Sequence, residues 1–86
     1  MRFTYDDEAD ALYVMLREGV EAARSVVVDD DRVIDVDGED RPIGIEVLGA
    51  SHGVRLLELV EEFGLQAYVA HLEQIEKLRF HAIEFA

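Results

Sequence analysis

The chain has 86 residues, half of them hydrophobic, and a formal net charge of −12. This length predicts one domain with a modest core, since a chain of this size buries only about 60–65% of its unfolded surface. An acidic surface repels phosphate backbones and anionic lipids, which counts against nucleic acids and membranes as partners. The sequence has no cysteine and no apolar run near the roughly 18 residues that span a bilayer. We therefore expect one cytoplasmic domain over residues 1–86.

Three strands are predicted in the N-terminal half. Residues 2–5 and 11–16 alternate between hydrophobic and other side chains, which is the period of an extended strand. Residues 22–28 end in three consecutive valines, and β-branched side chains favour extended backbone. The acidic residues 6–10 suit a turn, because aspartate side chains bond nearby backbone amides. The short connections favour an antiparallel meander.

A central hairpin over residues 32–48 follows these strands. Its strands are expected to align with Ile34 opposite Ile45 and Val36 opposite Ile43, because this register places all their apolar side chains on one face. A tight turn at the glycine of the loop would spoil that face. The register therefore predicts a longer loop between the two strands.

The hydrophobic period changes to that of a helix after residue 51. Ser51 is the expected N-cap of a first helix, and Gly64 suits the left-handed position beyond its end. A second helix is expected to run to about Arg79, while helix and strand both stay open for residues 78–86. The two helical stripes are Leu56, Leu57, Val60 and Phe63, then Leu65, Tyr68, Val69, Leu72 and Ile75.

The predicted fold is α+β: a five-stranded antiparallel β-meander over residues 2–48, with two C-terminal helices packed on one face. Residues 1–51 form the sheet region, and residues 52–86 form a helical extension. The expected core consists of Phe3, Leu12, Val14, Val26, Ile34, Val36, Ile45, Val47, Leu57, Val60, Phe63 and Leu72.

Two sequence blocks resemble the prokaryotic family DUF2283. They are YDDEADALY at residues 5–13 and GIEVL at residues 44–48, the second followed by Ala50 and Ser51. The resemblance covers residues 1–51 and implies a small antiparallel sheet with a helix packed on it. It brings no activity and no catalytic residues, because the family has none established. Some members resemble antitoxin-like partners of small toxin-like proteins. One departure is Asp40, which stands where the family has a turn glycine.

The acidic residues of the hairpin are the candidates for a cation site. An EF-hand loop fails here, because Val33 and Gly44 occupy positions where that loop needs ligating side chains. A looser site formed by Asp35, Asp37 and Glu46 on the outer face stays open, against the alternative of a solvated surface. Such a site would belong to a small metal-dependent enzyme or a cation-binding protein.

No complete catalytic set is found in the sequence. His52, His71 and His81 lack the four-residue spacing of a helical zinc pair, and Ser25 and Ser51 lack the glycines of a nucleophile elbow. We therefore predict no enzyme, no cofactor and no resident metal.

Three further residues allow two interpretations each. Asp6 and Asp10 suit either a carboxylate pair for acid–base chemistry or, preferably, the turn between the first two strands. Tyr13 projects to the opposite face from Leu12, where it either contacts a partner or packs against Met15.

The predicted function is a non-enzymatic, acidic protein-interaction module. It acts as a homodimer, as an antitoxin-like partner of a basic protein, or as both. The C-terminal segment has more hydrophobic residues than one stripe can bury, and exposed apolar patches usually mark interfaces. The interface candidates are Leu56, Leu59, Phe63, Tyr68, Leu72 and Ile75.

Overall fold

A five-stranded antiparallel sheet forms the N-terminal half of the computed structural model, which describes residues 1–83. The strands are β1 (Arg2–Asp6), β2 (Ala11–Met15), β3 (Arg24–Val27), β4 (Arg32–Val36) and β5 (Pro42–Leu48). Two C-terminal helices follow, so the predicted α+β class with five antiparallel strands is confirmed.

The order of the strands differs from that of a meander. The sheet runs β1-β2-β5-β4-β3, so β5 lies between β2 and β4, and β3 forms an outer edge. The link from β2 to β3 begins where the amides of Leu16 and Arg17 donate to the Ile43 carbonyl, and it ends where Ala23 donates to Val36. The link thus passes the ends of β5 and β4 and spans three strand spacings of about 5 Å each. Three of the expected consecutive pairs are present, β1 with β2, β3 with β4 and β4 with β5. The expected pairing of β2 with β3 was wrong, because a link this long need not join neighbours.

The central hairpin largely follows the predicted register. Ile34 lies opposite Ile45, as expected, but Val36 lies opposite Pro42 because a bulge shifts the register between Asp35 and Val36. The expectation that Val36 lies opposite Ile43 was therefore wrong by one residue.

Asp40 ends the loop of this hairpin with a φ of 63°. This left-handed conformation suits glycine best and is tolerated by aspartate. The departure at this position thus keeps the backbone shape that a turn glycine would have.

The C-terminal segment is built from short pieces. It contains α1 (Val60–Phe63), α2 (Val69–Glu76) and three 3₁₀ turns at Ala50–His52, Leu57–Leu59 and Gln66–Tyr68. Helix α2 ends three residues before the predicted Arg79, and no helix or strand follows up to Ile83. The rest of the open segment, residues 84–86, lies outside the described part. No described helix is long and apolar enough to cross a membrane.

The ends of the first helix confirm one prediction and correct another. Gly64 has a φ of 66°, and the Leu65 amide donates to the Val60 carbonyl at 2.9 Å, which is the expected left-handed stop. Ser51 is not an N-cap, because it lies inside the first 3₁₀ turn, which Gly49 precedes. The backbone from Gly53 to Leu56 is irregular instead of helical.

The core lies between the inner face of the sheet and the C-terminal segment. Ile34 and Ile45 are completely buried at its centre. Of the expected core, Phe3 and Leu57 are exposed. Leu57 points outward because the late helix start rotates the stripe so that Leu56 and Leu59 point inward, whereas Phe3 lies on the edge strand β1. Val26, Val60 and Phe63 pack partly buried against the cluster. The expected residues found buried are Leu12, Val14, Ile34, Val36, Ile45, Val47 and Leu72.

Candidate functional site

The outer face of the sheet carries a hydrogen-bonded tyrosine and aspartate. Asp35 accepts hydrogen bonds from the hydroxyl groups of Tyr13 at 2.9 Å and Ser25 at 2.6 Å. Desolvation and this bond to Asp35 raise the pKa of Tyr13 to about 12, so the phenol stays protonated and donates at neutral pH. Tyr13 thus joins β2 to β4 across β5. The Asp35 carboxylate is already engaged on both oxygens.

Asp37, the second carboxylate of the candidate cation site, does not lie on the outer face beside Asp35. Asp37 is buried in the loop of the hairpin, where Arg17 donates to it at 2.8 Å and the amides of Glu39 and Arg41 donate at 2.9 Å. The hydrogen bond from Arg17, followed by those amides, lowers the pKa of Asp37 well below its usual range. Asp37 therefore organises the loop.

The structure does not assemble the candidate cation site of Asp35, Asp37 and Glu46. Glu46 lies opposite Val33 and Tyr13 on the outer face, whereas Asp37 is held in the loop by Arg17. Within residues 1–83, no group of three histidine, aspartate or glutamate side chains is arranged to hold a metal ion. Asp35 and Glu46 share the outer face, and the described part of the chain brings no third such side chain to them.

Asp10 connects the first turn to the end of β5. Its carboxylate accepts hydrogen bonds from the Tyr5 hydroxyl at 2.7 Å, the Ser51 amide at 2.8 Å and the Ser51 hydroxyl at 2.6 Å. Desolvation raises the pKa of Asp10, but the bonds from Ser51 and Tyr5 outweigh it, so the pKa lies below the usual value. Asp6 instead accepts from the amides of Glu8 and Ala9, which makes it the turn aspartate that the sequence predicted.

The chemistry of this cluster is structural. Ser51 donates its hydroxyl proton to Asp10, and a carboxylate with a lowered pKa is a poor general base. His52, His71 and His81 all have exposed side chains. The Asp10 contacts orient the turn and do not activate Ser51 as a nucleophile.

The side chains expected at a dimer interface lie largely inside the chain's own core. Leu56, Leu59, Leu72 and Ile75 are buried, and Phe63 and Tyr68 pack partly buried against the same cluster. The C-terminal segment buries more hydrophobic side chains than one helical stripe could, because it folds as several short pieces that each direct a different set of side chains toward the sheet. These six residues are therefore not an open surface.

An open surface is found instead at the edge of β3. The Val28 amide donates to the Arg32 carbonyl, and the bonding direction alternates along an antiparallel pair. The backbone groups of Ser25 and Val27 therefore point away from β4 toward solvent. The Val27 side chain is 72% exposed, and residues 22–28 carry no acidic side chain.

The opposite edge of the sheet is protected. The Phe80 ring packs 4.8 Å from the Tyr5 ring and 6.1 Å from the Phe3 ring, as centroid distances. The Ile83 amide donates to the carbonyl of Asp7, so the C-terminal segment follows β1 into its turn. Charged side chains, coverage and bulges are the usual defences of an edge strand, and among residues 1–83 only the charge of Arg24 defends β3.

Sequence reasoning missed this edge because a meander places β3 in the middle of the sheet. Three consecutive valines fit a buried central strand as well as an edge strand. The signal that distinguishes them is the link of residues 16–23, which is longer than a hairpin turn needs and carries Gly19 with a φ of 74°.

Together, the sheet, its single cover and the Asp10 contacts define a small α+β protein with an open strand edge. The sequence profile described as "Protein of unknown function (DUF2283)" matches residues 2–51. The chain belongs to this family. The two blocks that carried the resemblance meet in space, because Asp10 of the first bonds to Ser51 beyond the second. Searches of curated proteins and of solved structures found no match.

Proposed function

We propose that this protein is a non-enzymatic interaction module that binds a protein partner by strand addition to β3. The observation that supports it is the unprotected edge, where Ser25 and Val27 direct backbone donors and acceptors to solvent. A strand laid along such an edge gains main-chain hydrogen bonds, and side-chain contacts on either face add specificity.

The charge of the chain supports two partner classes. A net charge of −12 favours a basic protein, including one of toxin-like kind, through steered association and complementary potentials. The acid-free stretch of residues 22–28 also allows a second copy of the chain to approach without opposing carboxylates at the contact. The same charge disfavours nucleic acids and anionic membranes. We place the module in the cytoplasm, since a chain without cysteine suits a reducing compartment.

A matched pair of edge variants tests the proposal. Val27→Pro removes the outward amide without breaking the ladder to β4, because proline is tolerated where the donor faces solvent. Val27→Thr keeps the amide and the β-branched shape. Both are expected to fold as the wild type does, and only the proline variant is expected to lose partners.

The measurement is quantitative cross-linking and mass spectrometry of tagged wild-type, Val27→Pro and Val27→Thr chains expressed in the native cell. Partners bound through the edge should fall at least about tenfold in Val27→Pro, because tenfold corresponds to about 1.4 kcal/mol, the strength of one or two hydrogen bonds. Recovery of the same partners at equal levels by both variants would show that binding does not use β3.

A further inference from the structure

We propose that two copies of this chain pair through β3, antiparallel and about a two-fold axis at Val26, to form one ten-stranded sheet. The proposal rests on the strand-addition function above and names a second copy as the occupant of the edge. It replaces the C-terminal segment, whose candidate residues are buried, as the dimer interface.

The backbone of β3 is self-complementary in one register. With the axis at Val26, Ser25 of each copy lies opposite Val27 of the other, and these are the two residues whose backbone groups face outward. Each such pair exchanges two hydrogen bonds, so the dimer closes four. An axis at Val27 would instead place Ser25 opposite Asp29 of the second copy, and an axis at Ser25 would place Val27 opposite Ala23, in each case a residue outside β3.

The side chains agree with this register. On the outer face, the exposed Val27 meets the small Ser25 of the second copy at the spacing of cross-strand neighbours. On the inner face, Val26 meets Val26 of the second copy and extends the hydrophobic cluster that it already contacts. A two-fold interface needs the same patch on both copies, and this strand provides it.

The charges at the two ends of β3 also fit a second copy. Arg24 begins the strand, and the acidic residues Asp29, Asp30 and Asp31 follow its end. Antiparallel pairing brings each Arg24 beside the acidic turn of the other copy. Arg24 is exposed and its ion pair with Asp40 is also exposed, so it is accessible for this contact.

Salt separates the two partner classes. Two chains of net charge −12 repel one another over a Debye length of about 10 Å at 0.1 M salt, so screening should tighten the homodimer. Binding of a basic protein should weaken over the same range, because screening removes its attraction.

The deciding experiment is sedimentation equilibrium of the full chain at 0.05 and 0.5 M sodium chloride, with amide hydrogen exchange at both salt concentrations. We expect a dimer whose association constant rises with salt, and slow exchange of the Ser25 and Val27 amides in the dimer. Val27→Pro should weaken association at least about tenfold, and Val27→Thr should keep it. Val27→Lys is the second edge variant if the proline disturbs folding, as judged by urea unfolding.

Several results would overturn the dimer. A monomer at every salt concentration would do so, as would a dimer in which the Ser25 and Val27 amides exchange as fast as free amides. Equal dimerisation of the Val27→Pro and Val27→Thr variants is the third such result. None of these decides the strand-addition function, since a heterologous partner lost only by Val27→Pro in the cross-linking experiment would still support it.

Discussion

The Tyr13 ring lies over Gly44 on the outer face of the sheet, so closely that a Cβ atom at position 44 would overlap the Tyr13 hydroxyl oxygen. Only glycine allows the ring to cross β5 and reach Asp35 on β4. Position 44 is thus fixed by a close approach between a side chain and the backbone of another strand.

Gly44→Ala should therefore destabilise the protein by about 1–3 kcal/mol, because the added methyl group displaces the Tyr13 ring. In a Tyr13→Ala background the same substitution should cost much less, which a double-mutant cycle in urea will measure. Gly38→Ala is the matched control, since its Cβ would meet nothing within 4 Å. An equal loss of stability for the alanine variants at positions 44 and 38 would contradict the close contact between Tyr13 and Gly44.

Adjacent residues of β5 point to opposite faces of the sheet, so substitutions at Ile45 and Glu46 should differ in their effect on stability. Ile45 is completely buried against the core, so Ile45→Ala should cost about 2–5 kcal/mol. Glu46 points to the outer face, and Glu46→Ala should stay within about 0.5 kcal/mol. Similar shifts of the two urea midpoints would mean that the faces of β5 are assigned incorrectly.

Arg32 should contribute far more to the stability of the fold than an exposed arginine does. Its side chain is 7% exposed and donates to Asp29 at 2.7 Å, to the Arg55 carbonyl at 2.8 Å and to Glu58 at 3.2 Å. Arg32→Ala leaves those acceptors without their donor, for a loss of about 3–5 kcal/mol. Arg24→Ala, which breaks an exposed pair, should cost about 0–1 kcal/mol. Thermal unfolding of the two variants measures the difference. An equal loss of stability in both would show that the bonds of Arg32 to the C-terminal segment do not stabilise the fold.

Acid should destabilise the fold through a few aspartates. The hydrogen bond from Arg32 lowers the pKa of Asp29 to about 2, and the pKa values of Asp37 and Asp10 are also lowered. A carboxylate with a folded pKa below its unfolded value of about 4 stabilises fully above pH 4, and this stability is lost as the pH falls toward the folded pKa. Urea midpoints should therefore drop between pH 4 and 2.

Asp37→Asn should flatten this acid profile, because the variant has no carboxylate to protonate at that position. Its stability should already be reduced at pH 7 and should change less on acidification than that of the wild type. Asp40→Asn, in the exposed pair with Arg24, serves as the control. If the urea midpoint of Asp37→Asn falls with pH in parallel with that of the wild type, the negative charge of Asp37 does not strengthen its bonds with Arg17 and the loop amides.

The sequence predicted the parts of the fold that depend on local pattern. Alternation along the hairpin predicted Ile34 opposite Ile45, and Gly64 predicted the end of α1, because both depend on neighbouring residues alone. The neighbour of β2 was not predictable in this way, since pairing with β5 depends on which surfaces meet in space. The rotation of the helical stripe was missed at Leu57, because the start of the first helix was placed at Ser51.

The candidate site was harder to predict than the fold. The acidic hairpin was singled out by residue type, yet Asp35 and Asp37 make bonds with Tyr13 and Arg17 that come from distant parts of the chain. An open edge has no residue signature of its own, because it is defined by the absence of a neighbouring strand. Val27 became a candidate only once the strand order was known.

The crossing link between β2 and β3 also sets the order of events during synthesis. The β1–β2 hairpin leaves the ribosome before the other strands of the sheet, and a two-stranded hairpin alone is marginal in water. The other strand that pairs with β2 is β5, so Met15 can pair with Gly44 only after β5 has been made. Formation of the complete sheet therefore requires contacts distant in sequence, and such contacts form slowly. The hydrophobic face of this hairpin stays uncovered for longer still, until the C-terminal segment that packs on it has been made up to Ile75, and we expect this face to be a segment that a chaperone binds.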